Sequence, residues 1–246
     1  LTLAAVEDSG VSQKDGLRAK NLWTLGLMCW MYDRDRQPTI DWLNQRFGKQ
    51  PEIAAANIAA LNAGHAYGET AELSSEISTY VVPKAKVEPG IYRAVTGVDT
   101  TTWGLLAGAQ KAGLNLFLGS YPITPASPLL HALSNLRQYG VVTFQAEDEI
   151  SAICSAIGAS FSGSLGLTSS SGPGIALKSE ALGLAIVAEL PLVVVNFQRA
   201  GPSTGMPTKT EQSDLNQAVF GRNADTPMPV VAACTPADCF ECAIEV

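Results

Sequence analysis

The sequence has 246 residues, of which 46% are hydrophobic and 16% are charged, and its formal net charge is −7. This length accommodates one large domain or two small ones with a substantial apolar core. The acidic balance argues against a nucleic-acid or anionic-membrane partner, because either would require a basic face. No apolar run approaches the roughly 20 residues that span a bilayer, and nothing at the amino end resembles a signal peptide. The low charged fraction predicts that part of the surface is buried against another chain.

The cysteine and histidine content gives little support for a metal site. The five cysteines are Cys29, Cys154, Cys234, Cys239 and Cys242. An odd and scattered set argues against a disulfide framework and favours the reducing cytoplasm. The last three have the C-x4-C-x2-C spacing of part of a plant-type iron–sulfur site, but no fourth ligand lies nearby in the sequence. Neutral, buried thiols explain them more simply, and two histidines leave zinc chemistry little material, so we predict no metal site in this chain.

The first 80 residues are predicted to be mostly helical. Apolar residues recur at helical spacing in Asn21–Met31, and prolines precede the predicted helices Thr39–Phe47 and Glu52–Asn62. Gly64 is the expected end of the last of these helices. The polar residues 65–69 that follow are predicted to form a solvated turn, and nothing in this region has the spacing of a catalytic site.

Two further boundaries follow from composition. Residues 81–96 contain two prolines and a glycine without sustained periodicity, so they are predicted to be a linker. Residues 97–246 are predicted to form the second domain. The chain starts at Leu1 without a methionine and ends about three helical turns after a predicted helix start at Thr235–Pro236. We therefore expect a segment of a longer protein, cut at both ends.

Short apolar strands alternate with helices throughout the second region. The predicted strands are Leu114–Leu118, Val141–Phe144, Leu165–Thr168, Leu192–Phe197 and Val230–Ala233. The predicted helices between and before them are Thr102–Ala112, Pro125–Tyr139, Asp148–Ser162, Gly174–Leu190 and a short one near Gln212–Gly221. This alternation predicts an α/β fold with a parallel sheet covered by helices on both faces. Right-handed crossovers then bring every strand-to-helix loop to one edge, where open α/β sheets bind ligands.

A hydroxyl and a carboxylate are expected at that edge. In the run from Tyr121 to Pro125, Thr124 is predicted to cap a helix that starts at Pro125, an arrangement that an ordinary helix start also explains. Glu147 directly follows the next strand, so we expect it to be partly desolvated and suited to acid–base chemistry. Acidic residues also stabilise helix starts in their own right, so the structural and functional interpretations of residues 147–149 both remain open.

Two more polar loops follow the next two strands. The loop Ser169–Gly174 is neither a P-loop nor a dinucleotide fingerprint, but its backbone N–H groups could approach a ligand closely. Arg199 is the only basic residue between Lys178 and Lys209 and suits bidentate recognition of a carboxylate, although a structural ion pair is the alternative. Two glycines, two prolines and three hydroxyls in residues 201–208 are typical of a shaped loop.

Together these segments resemble the 2-oxoacid:ferredoxin oxidoreductases, in the form whose large subunit fuses a gamma domain to an alpha domain. The motifs Tyr-Pro-Ile-Thr-Pro, Gln-Ala-Glu-Asp-Glu-Ile, Ser-Gly-Pro-Gly and Gln-Arg-x-Gly-Pro-Ser-Thr-Gly-x-Pro-Thr occur in the order and approximate spacing of that family. The resemblance is strong from Gly97 to about Asp225. Residues 1–80 look like the later part of the gamma domain, itself an α/β domain. The form of the last motif is more similar to the 2-oxoglutarate enzymes than to the single-chain pyruvate enzymes.

The resemblance implies a cofactor and a set of roles. The alpha domain of the family is the pyrimidine-binding half of a thiamine diphosphate site, in which Glu147 would bond the pyrimidine ring nitrogen. The residues Ser171, Gly172, Pro173 and Gly174 would line the cofactor. Thr124 and Arg199 match positions that hold the keto acid, and Thr204 and Thr208 would line the far side of the pocket.

The resemblance also implies partners, because this sequence lacks the metal-and-diphosphate motif and a complete cluster ligand set. It assigns Mg²⁺ and a [4Fe–4S] cluster to a separate beta subunit, which would pass electrons to ferredoxin. The implied reaction is the oxidative decarboxylation of 2-oxoglutarate with coenzyme A, in a heterotetramer or a dimer of alpha–beta pairs. Pyruvate or a branched-chain 2-oxoacid as substrate, and a non-catalytic scaffold subunit, are the alternatives.

Overall fold

The computed structural model describes residues 1–70 and 80–246, which belong to two compact units, Leu1–Gly90 and Ile91–Val246. Residues 71–79, part of the predicted helical region, lie outside the described residues. None of the helices in the described part of the chain combines the length and the apolar character needed to cross a membrane.

The first unit is helical in its described residues. Its α-helices are α1 (Thr2–Ala5), α2 (Gln13–Arg18), α3 (Lys20–Met31), α4 (Gln37–Arg46) and α5 (Pro51–Thr70). The predicted helices at Asn21–Met31 and Thr39–Phe47 correspond to α3 and α4, and a proline opens α5 as expected. Residues 80–96 contain no helix or strand.

The predicted end of α5 at Gly64 is wrong, because this helix continues to Thr70. Gly64 is buried where α5 meets α3, and a Cβ atom there would collide with the backbone carbonyl of Trp23. The glycine therefore permits close helix packing instead of ending the helix. The predicted solvated turn is also helical: His65 Nδ1 lies 3.5 Å from the Glu69 carboxylate one turn along.

The second unit contains a four-stranded sheet, as far as its described residues show. The strands are β1 (Leu116–Ser120), β2 (Val142–Gln145), β3 (Leu165–Ser170) and β4 (Leu192–Asn196). They lie in the order β2-β1-β3-β4, and every neighbouring pair is parallel. The helices are α6 (Gly97–Lys111), α7 (Ser127–Ser134), α8 (Glu149–Phe161), α9 (Gly172–Leu177), α10 (Ser179–Val187), α11 (Leu215–Phe220) and α12 (Pro236–Glu245).

Apolar helices cover both faces of the sheet, which confirms the predicted fold class. On one face Leu118 and Val193 pack with leucines of α6 and α7. On the other face Val194 packs with isoleucines of α8 and with α10. Because successive strand residues point to opposite faces, adjacent Val193 and Val194 belong to different cores. Both cores stop where the strands end and the polar loops begin.

Gly119 lets α8 approach the sheet closely. A Cβ atom at this position would collide with the Ala152 carbonyl oxygen and the Ser155 hydroxyl of α8. Since Glu149 opens α8, this contact fixes where the acidic start of the helix lies relative to β1. The glycine therefore contributes to the placement of the carboxylates at the carboxyl edge.

The predicted helices that begin at Pro125 and at Gly174 differ from the structure. The predicted helix start at Thr124–Pro125 is wrong, since α7 begins at Ser127 and Ala126 is its N-cap. The backbone N–H groups of Ala126 and Ser127 both donate to the Ile123 carbonyl, so Thr124 and Pro125 lie in a turn. The single predicted helix from Gly174 to Leu190 is interrupted at Lys178, between α9 and α10.

The predicted strand Val230–Ala233 is absent. Val230 and Val231 are exposed, and residues 230–233 form no backbone hydrogen bond with an edge strand within the described chain. Strand composition alone does not supply a pairing partner. The predicted helix start at Thr235–Pro236 is confirmed: the Thr235 hydroxyl accepts from the Asp238 N–H at the start of α12.

Leu118 tests how the central strand supports the sheet. Its side chain is fully buried in the apolar cluster of β1, α6 and α7. Leu118→Ala should lower the free energy of unfolding by about 2–5 kcal/mol, because it removes buried methyl groups and leaves a cavity. Urea unfolding measures the change. The matched control is Leu184→Ala on the exposed side of α10, which should cost about 1 kcal/mol or less. Equal costs for the two variants would contradict this account.

Candidate active site

The ends of the four strands are tied to one another at the carboxyl edge. The Ala146 N–H donates to the Ser120 carbonyl at 2.8 Å, which holds the end of β2 against β1. The Ser120 and Ser169 hydroxyls are 3.1 Å apart and buried, which links β1 to β3. The Phe197 N–H donates to the Ser170 carbonyl at 2.9 Å, which links β4 to β3. The loops that carry the candidate residues therefore leave from one fixed row.

Arg199 connects the loops that follow β4 and β1. Its guanidinium Nη1 donates to the Thr124 carbonyl oxygen at 2.7 Å, and its side chain is only 7% exposed. Because β3 lies between β1 and β4, this bond passes over the end of β3. The Arg199 Nε atom is buried and has no hydrogen-bond partner among the described residues. A guanidinium with an unused donor suits an anionic ligand.

The loop after β4 is folded back on itself by side-chain contacts. The Gly201 N–H donates to Glu211 Oε2 at 2.9 Å, and the Asp214 N–H donates to Gln198 Oε1 at 3.0 Å. Asn196 Nδ2 donates to Asp214 Oδ2 at 3.1 Å. Together with the backbone bonds between Ala200, Met206 and Lys209, they confirm that the predicted loop, residues 201–208, has a defined shape. Sequence reasoning did not single out Glu211 or Asp214, because their partners are distant in the sequence.

A groove of about 580 Å³ lies against Arg199. Its lining residues come from α9, the loop after β4 and α11: Gly172, Pro173, Ala176, Arg199, Gly201, Pro202, Ser203, Glu211, Ser213, Asp214 and Gln217. A Cβ atom at Gly172 would lie 3.0 Å from the Asp214 carboxylate, so glycine keeps this wall of the groove open. The structure thus brings Arg199 together with Gly172 and Pro173, as the sequence predicted for two separate loops.

Buried hydroxyls without partners lie next to this groove. Ser170 and Ser171 are both fully buried, and neither Oγ atom has a hydrogen-bond partner within the described residues. Asn196 Oδ1 is buried and unpartnered in the same way. Buried polar groups are nearly always hydrogen-bonded, so a cluster of exceptions at a strand edge indicates a place for a ligand or ordered water. The donor and acceptor set fits a polar cofactor in contact with the Ser171–Gly174 segment.

Glu147 lies at the carboxyl end of β2, directly after buried Ala146, but the expected desolvation is wrong: its side chain is exposed in this chain. The adjacent Asp148 is the N-cap of α8, and its carboxylate accepts from the Ser151 N–H at 2.7 Å. Helix capping therefore accounts for Asp148 and leaves Glu147 available for another role. Strand β2 is an edge strand, so less of this chain covers its end.

The two threonines of the shaped loop are not brought to Arg199 by a described contact. Thr204 and Thr208 are both exposed, and neither side chain forms a hydrogen bond within the described residues. The Thr124 side chain is also exposed, while its carbonyl oxygen binds Arg199. All three hydroxyls are therefore available to a ligand or to another chain.

Lys178 is a buried charged residue that sequence reasoning missed. It is the largest of the fully buried side chains, and its Nζ donates to Thr168 Oγ1 at 2.7 Å. Burial lowers the pKa of the ammonium from 10.5 to about 8, although the Glu149 and Asp148 carboxylates partly oppose this effect. The available signal was a lysine between the apolar segments 172–177 and 181–187, one turn after Gly174.

The expected burial of the three late cysteines is wrong, because Cys234 is exposed and Cys239 and Cys242 are half-buried. The Cys234 thiol donates to Asp238 Oδ2 at 3.0 Å, and this contact raises the pKa of the thiol. Within the part of the chain that the structure describes, no three histidine, cysteine, aspartate or glutamate side chains are grouped as metal ligands.

Comparison with known proteins agrees with the motifs. The sequence model of a family described as pyruvate flavodoxin/ferredoxin oxidoreductase, thiamine-diphosphate-binding, matches residues 107–246. The chain belongs to this family. The match begins within α6 and includes all four strands and every loop of the candidate site. The resemblance inferred from the four ordered motifs is thereby confirmed.

The names of individual relatives agree with this family. This chain is 55% identical over 245 residues to the 2-oxoglutarate oxidoreductase subunit KorA of Mycobacterium tuberculosis. The aligned region covers 100% of this chain and 37% of the relative. The chain is 44% identical over 139 residues to a 2-oxoglutarate synthase subunit KorA of Archaeoglobus fulgidus, covering 56% of this chain and 40% of that one.

A solved structure is also similar to this chain. The 2-oxoglutarate:ferredoxin oxidoreductase from Magnetococcus marinus, with 2-oxoglutarate, coenzyme A and succinyl-CoA bound, superposes with a TM-score of 0.80 and 33% identity. The match covers 99% of this chain and 41% of that chain. The sequence thus spans well under half the length of the relatives it matches.

The pKa of Lys178 leads to a stability prediction. Lys178→Met removes an ammonium whose burial is unfavourable, so the variant should be more stable than the parent at neutral pH, by up to about 3 kcal/mol. The native chain releases the Lys178 proton near pH 8 and the unfolded chain near 10.5, so the parent gains stability as the pH rises through this window. Urea unfolding of both proteins across the window should show the difference shrinking. A difference that stays constant with pH would contradict the assignment.

Proposed function

We propose that this chain is part of the alpha subunit of a thiamine-diphosphate-dependent 2-oxoacid:ferredoxin oxidoreductase that decarboxylates 2-oxoglutarate oxidatively to an acyl-CoA. The observation that carries the proposal is the position of Arg199. Its buried guanidinium binds the Thr124 loop, faces the groove beside Gly172 and Pro173, and keeps Nε unused. Arg199 belongs to a domain whose family binds thiamine diphosphate.

Arg199 is proposed to hold the carboxylate of the 2-oxoacid. A guanidinium donates from a rigid fork, so it can fix both oxygens of a planar carboxylate. Its bond to the Thr124 carbonyl fixes the side chain before substrate arrives, which reduces the cost of ordering it. Low exposure strengthens the interaction with the anion, because the surrounding dielectric is lower than that of water. Thr124, Thr204 and Thr208 are proposed to line the rest of the substrate pocket.

Glu147 is proposed to accept a hydrogen bond from the pyrimidine ring of thiamine diphosphate. Bound thiamine diphosphate would supply the carbanion chemistry that makes loss of CO2 from a 2-oxoacid possible. The carboxylate would hold the ring proton in place at the carboxyl end of β2, while the Ser171–Gly174 segment positions the cofactor from the end of β3. The exposure of Glu147 supports a pocket that a second subunit completes.

The choice of 2-oxoglutarate is supported by the form of the Gln-Arg-x-Gly-Pro-Ser-Thr-Gly motif and by the names of the relatives. The similar structure from Magnetococcus marinus has 2-oxoglutarate, coenzyme A and succinyl-CoA bound. Those ligands are known for that protein, and their transfer to this chain is part of the proposal. Coenzyme A as the acyl acceptor and ferredoxin as the electron acceptor belong to the same proposal.

The remaining machinery is proposed to lie outside this chain. Mg²⁺ and a [4Fe–4S] cluster are assigned to a beta subunit, with ferredoxin binding to that subunit. The complex would be a heterotetramer or a dimer of alpha–beta pairs, and the five free cysteines support the cytoplasm as its compartment. Residues 1–80 are proposed to be the later part of a gamma domain, 81–96 a linker and 97–246 an alpha domain.

Glu147→Gln tests the proposed cofactor contact. The amide keeps the size of the side chain but cannot act as a base, so kcat for 2-oxoglutarate-dependent ferredoxin reduction should fall about 100-fold or more. The measurement uses the full-length subunit assembled with its beta subunit. Glu180→Gln, an exposed carboxylate of α10, is the matched control and should keep the parent rate. Parent-like turnover by Glu147→Gln, in a complex that assembles normally, would refute the role.

Arg199→Lys tests substrate recognition. Lysine retains the charge but replaces the fork with a single ammonium, so KM for the 2-oxoacid should rise about tenfold while thiamine diphosphate binding is retained. Steady-state kinetics and cofactor titration of the assembled enzyme measure the two effects. Arg137→Lys, at an exposed position after α7, provides the control. An unchanged KM would show that Arg199 has a structural role through Thr124 alone.

A further inference from the structure

Lys178 connects β3 to the end of α9. Its side-chain Nζ donates to Thr168 Oγ1, on β3, at 2.7 Å. Its backbone N–H caps α9 by donating to the Gly174 carbonyl at 3.2 Å and to the Ile175 carbonyl at 3.1 Å. The predicted loop Ser169–Gly174 is in fact the end of β3, Ser171 and the first turn of α9. This segment lies between the two contacts of Lys178, and its residues Gly172 and Pro173 line the proposed ligand groove.

The Ser169–Gly174 segment packs directly against the start of α8, where Asp148 and Glu149 lie. Gly174 is buried between the Ser170 hydroxyl and the Glu149 side chain, and a Cβ atom at Gly174 would lie 3.1 Å from Glu149 Cγ. Thr168 and Ser170 are two residues apart on β3, so their side chains emerge on the same face of the sheet. Lys178, Thr168, Ser170 and Glu149 thus meet on the α8 side of the sheet.

Burying the ammonium group of a lysine at this position is energetically unfavourable. Lys178 is fully buried, and among the described residues Nζ has one hydrogen-bond acceptor although an ammonium can donate three hydrogen bonds. The carboxylates that act on it are those of Glu149 and Asp148, at the start of α8. A methionine would fill the same space without the cost of desolvating a charge. A buried ammonium that destabilises the fold indicates a role other than stability.

We propose that Lys178 is a positioning residue that holds the Ser169–Gly174 segment in its cofactor-binding conformation against the first turn of α8. The assignment rests on the proposed function, because the segment matters through the cofactor that it positions. Lys178 acts through Thr168 on β3, two residues before the end of the strand, and through the field of the α8 carboxylates. It does not touch the ligand, since it does not line the groove.

Two substitutions each remove one partner of the hydrogen bond between Lys178 Nζ and Thr168 Oγ1. Lys178→Met deletes the ammonium, and Thr168→Val deletes its acceptor with little change of shape. In the assembled complex, each should raise the Kd for thiamine diphosphate about tenfold, the size expected for one hydrogen bond to a charged group. Because both changes break the same bond, the double variant should be no weaker than the weaker single variant. Lys111→Met, at the exposed end of α6, should bind as the parent does.

Two further readouts separate positioning from general stability. Hydrogen exchange of the amides of residues 169–177 should be faster in both single variants, while the amides of α3 and α5 should be unaffected. The Kd of the parent should rise as the pH passes about 8, where Lys178 loses its proton, and the Kd of Lys178→Met should stay flat across that range. A loss of stability alone would increase exchange throughout the second unit and leave the pH profiles parallel.

Failure of the positioning role and failure of the proposed function give different results. Parent-like Kd and exchange in Lys178→Met, or in Thr168→Val if the first variant does not assemble, would overturn the positioning role. Additive effects of the two substitutions would overturn it as well. A parent complex that binds no thiamine diphosphate would refute the proposed function instead, and the exchange comparison would still show whether Lys178 holds the segment.

Discussion

The in-register pairing of four parallel strands is the constraint on which the rest of the structure depends. Ser120 pairs with both Gln145 and Ser169, and Ser170 pairs with Asn196, so the chain leaves the sheet along a single row. Each loop then has a fixed origin, whatever its own sequence. The bond from Arg199 to the Thr124 carbonyl can form across the end of β3 because both loops start from this row. Segments far apart in the sequence therefore become neighbours at one edge.

Most of the polar groups that are buried without a full set of hydrogen-bond partners in the described chain lie at this same edge. The side chains of Ser170 and Ser171 lack hydrogen-bond partners among the described residues, as does Arg199 Nε, and Lys178 is a buried ammonium nearby. Two apolar cores lie directly beneath them, one on each face of the sheet. The stable scaffold can thus carry an edge that is unfavourable by itself. Conflict between local stability and local chemistry is expected at functional sites.

Much of this arrangement could be predicted from the sequence, because it follows from periodicity and from short motifs. Apolar runs and prolines identified four of the strands and most helices, and the ends of the strands identified the polar loops. The failures share a cause, which is tertiary context. Gly64 has the sequence signature of a helix end but lies at a helix-packing position, and Val230–Ala233 has the composition of a strand but no pairing partner among the described residues. The sequence places Lys178 between two apolar segments, but only the fold shows that its side chain is fully buried.

The proposed function depends on thiamine diphosphate binding at the carboxyl edge of this sheet, between Glu147, the Ser171–Gly174 segment and Arg199. An experimental structure of the full-length subunit with its beta subunit, thiamine diphosphate and a 2-oxoacid tests this most directly. The account predicts the pyrimidine ring within hydrogen-bonding distance of the Glu147 carboxylate, and the substrate carboxylate on the Arg199 guanidinium. A cofactor bound at another edge, or an Arg199 that contacts protein groups alone in the presence of substrate, would contradict it.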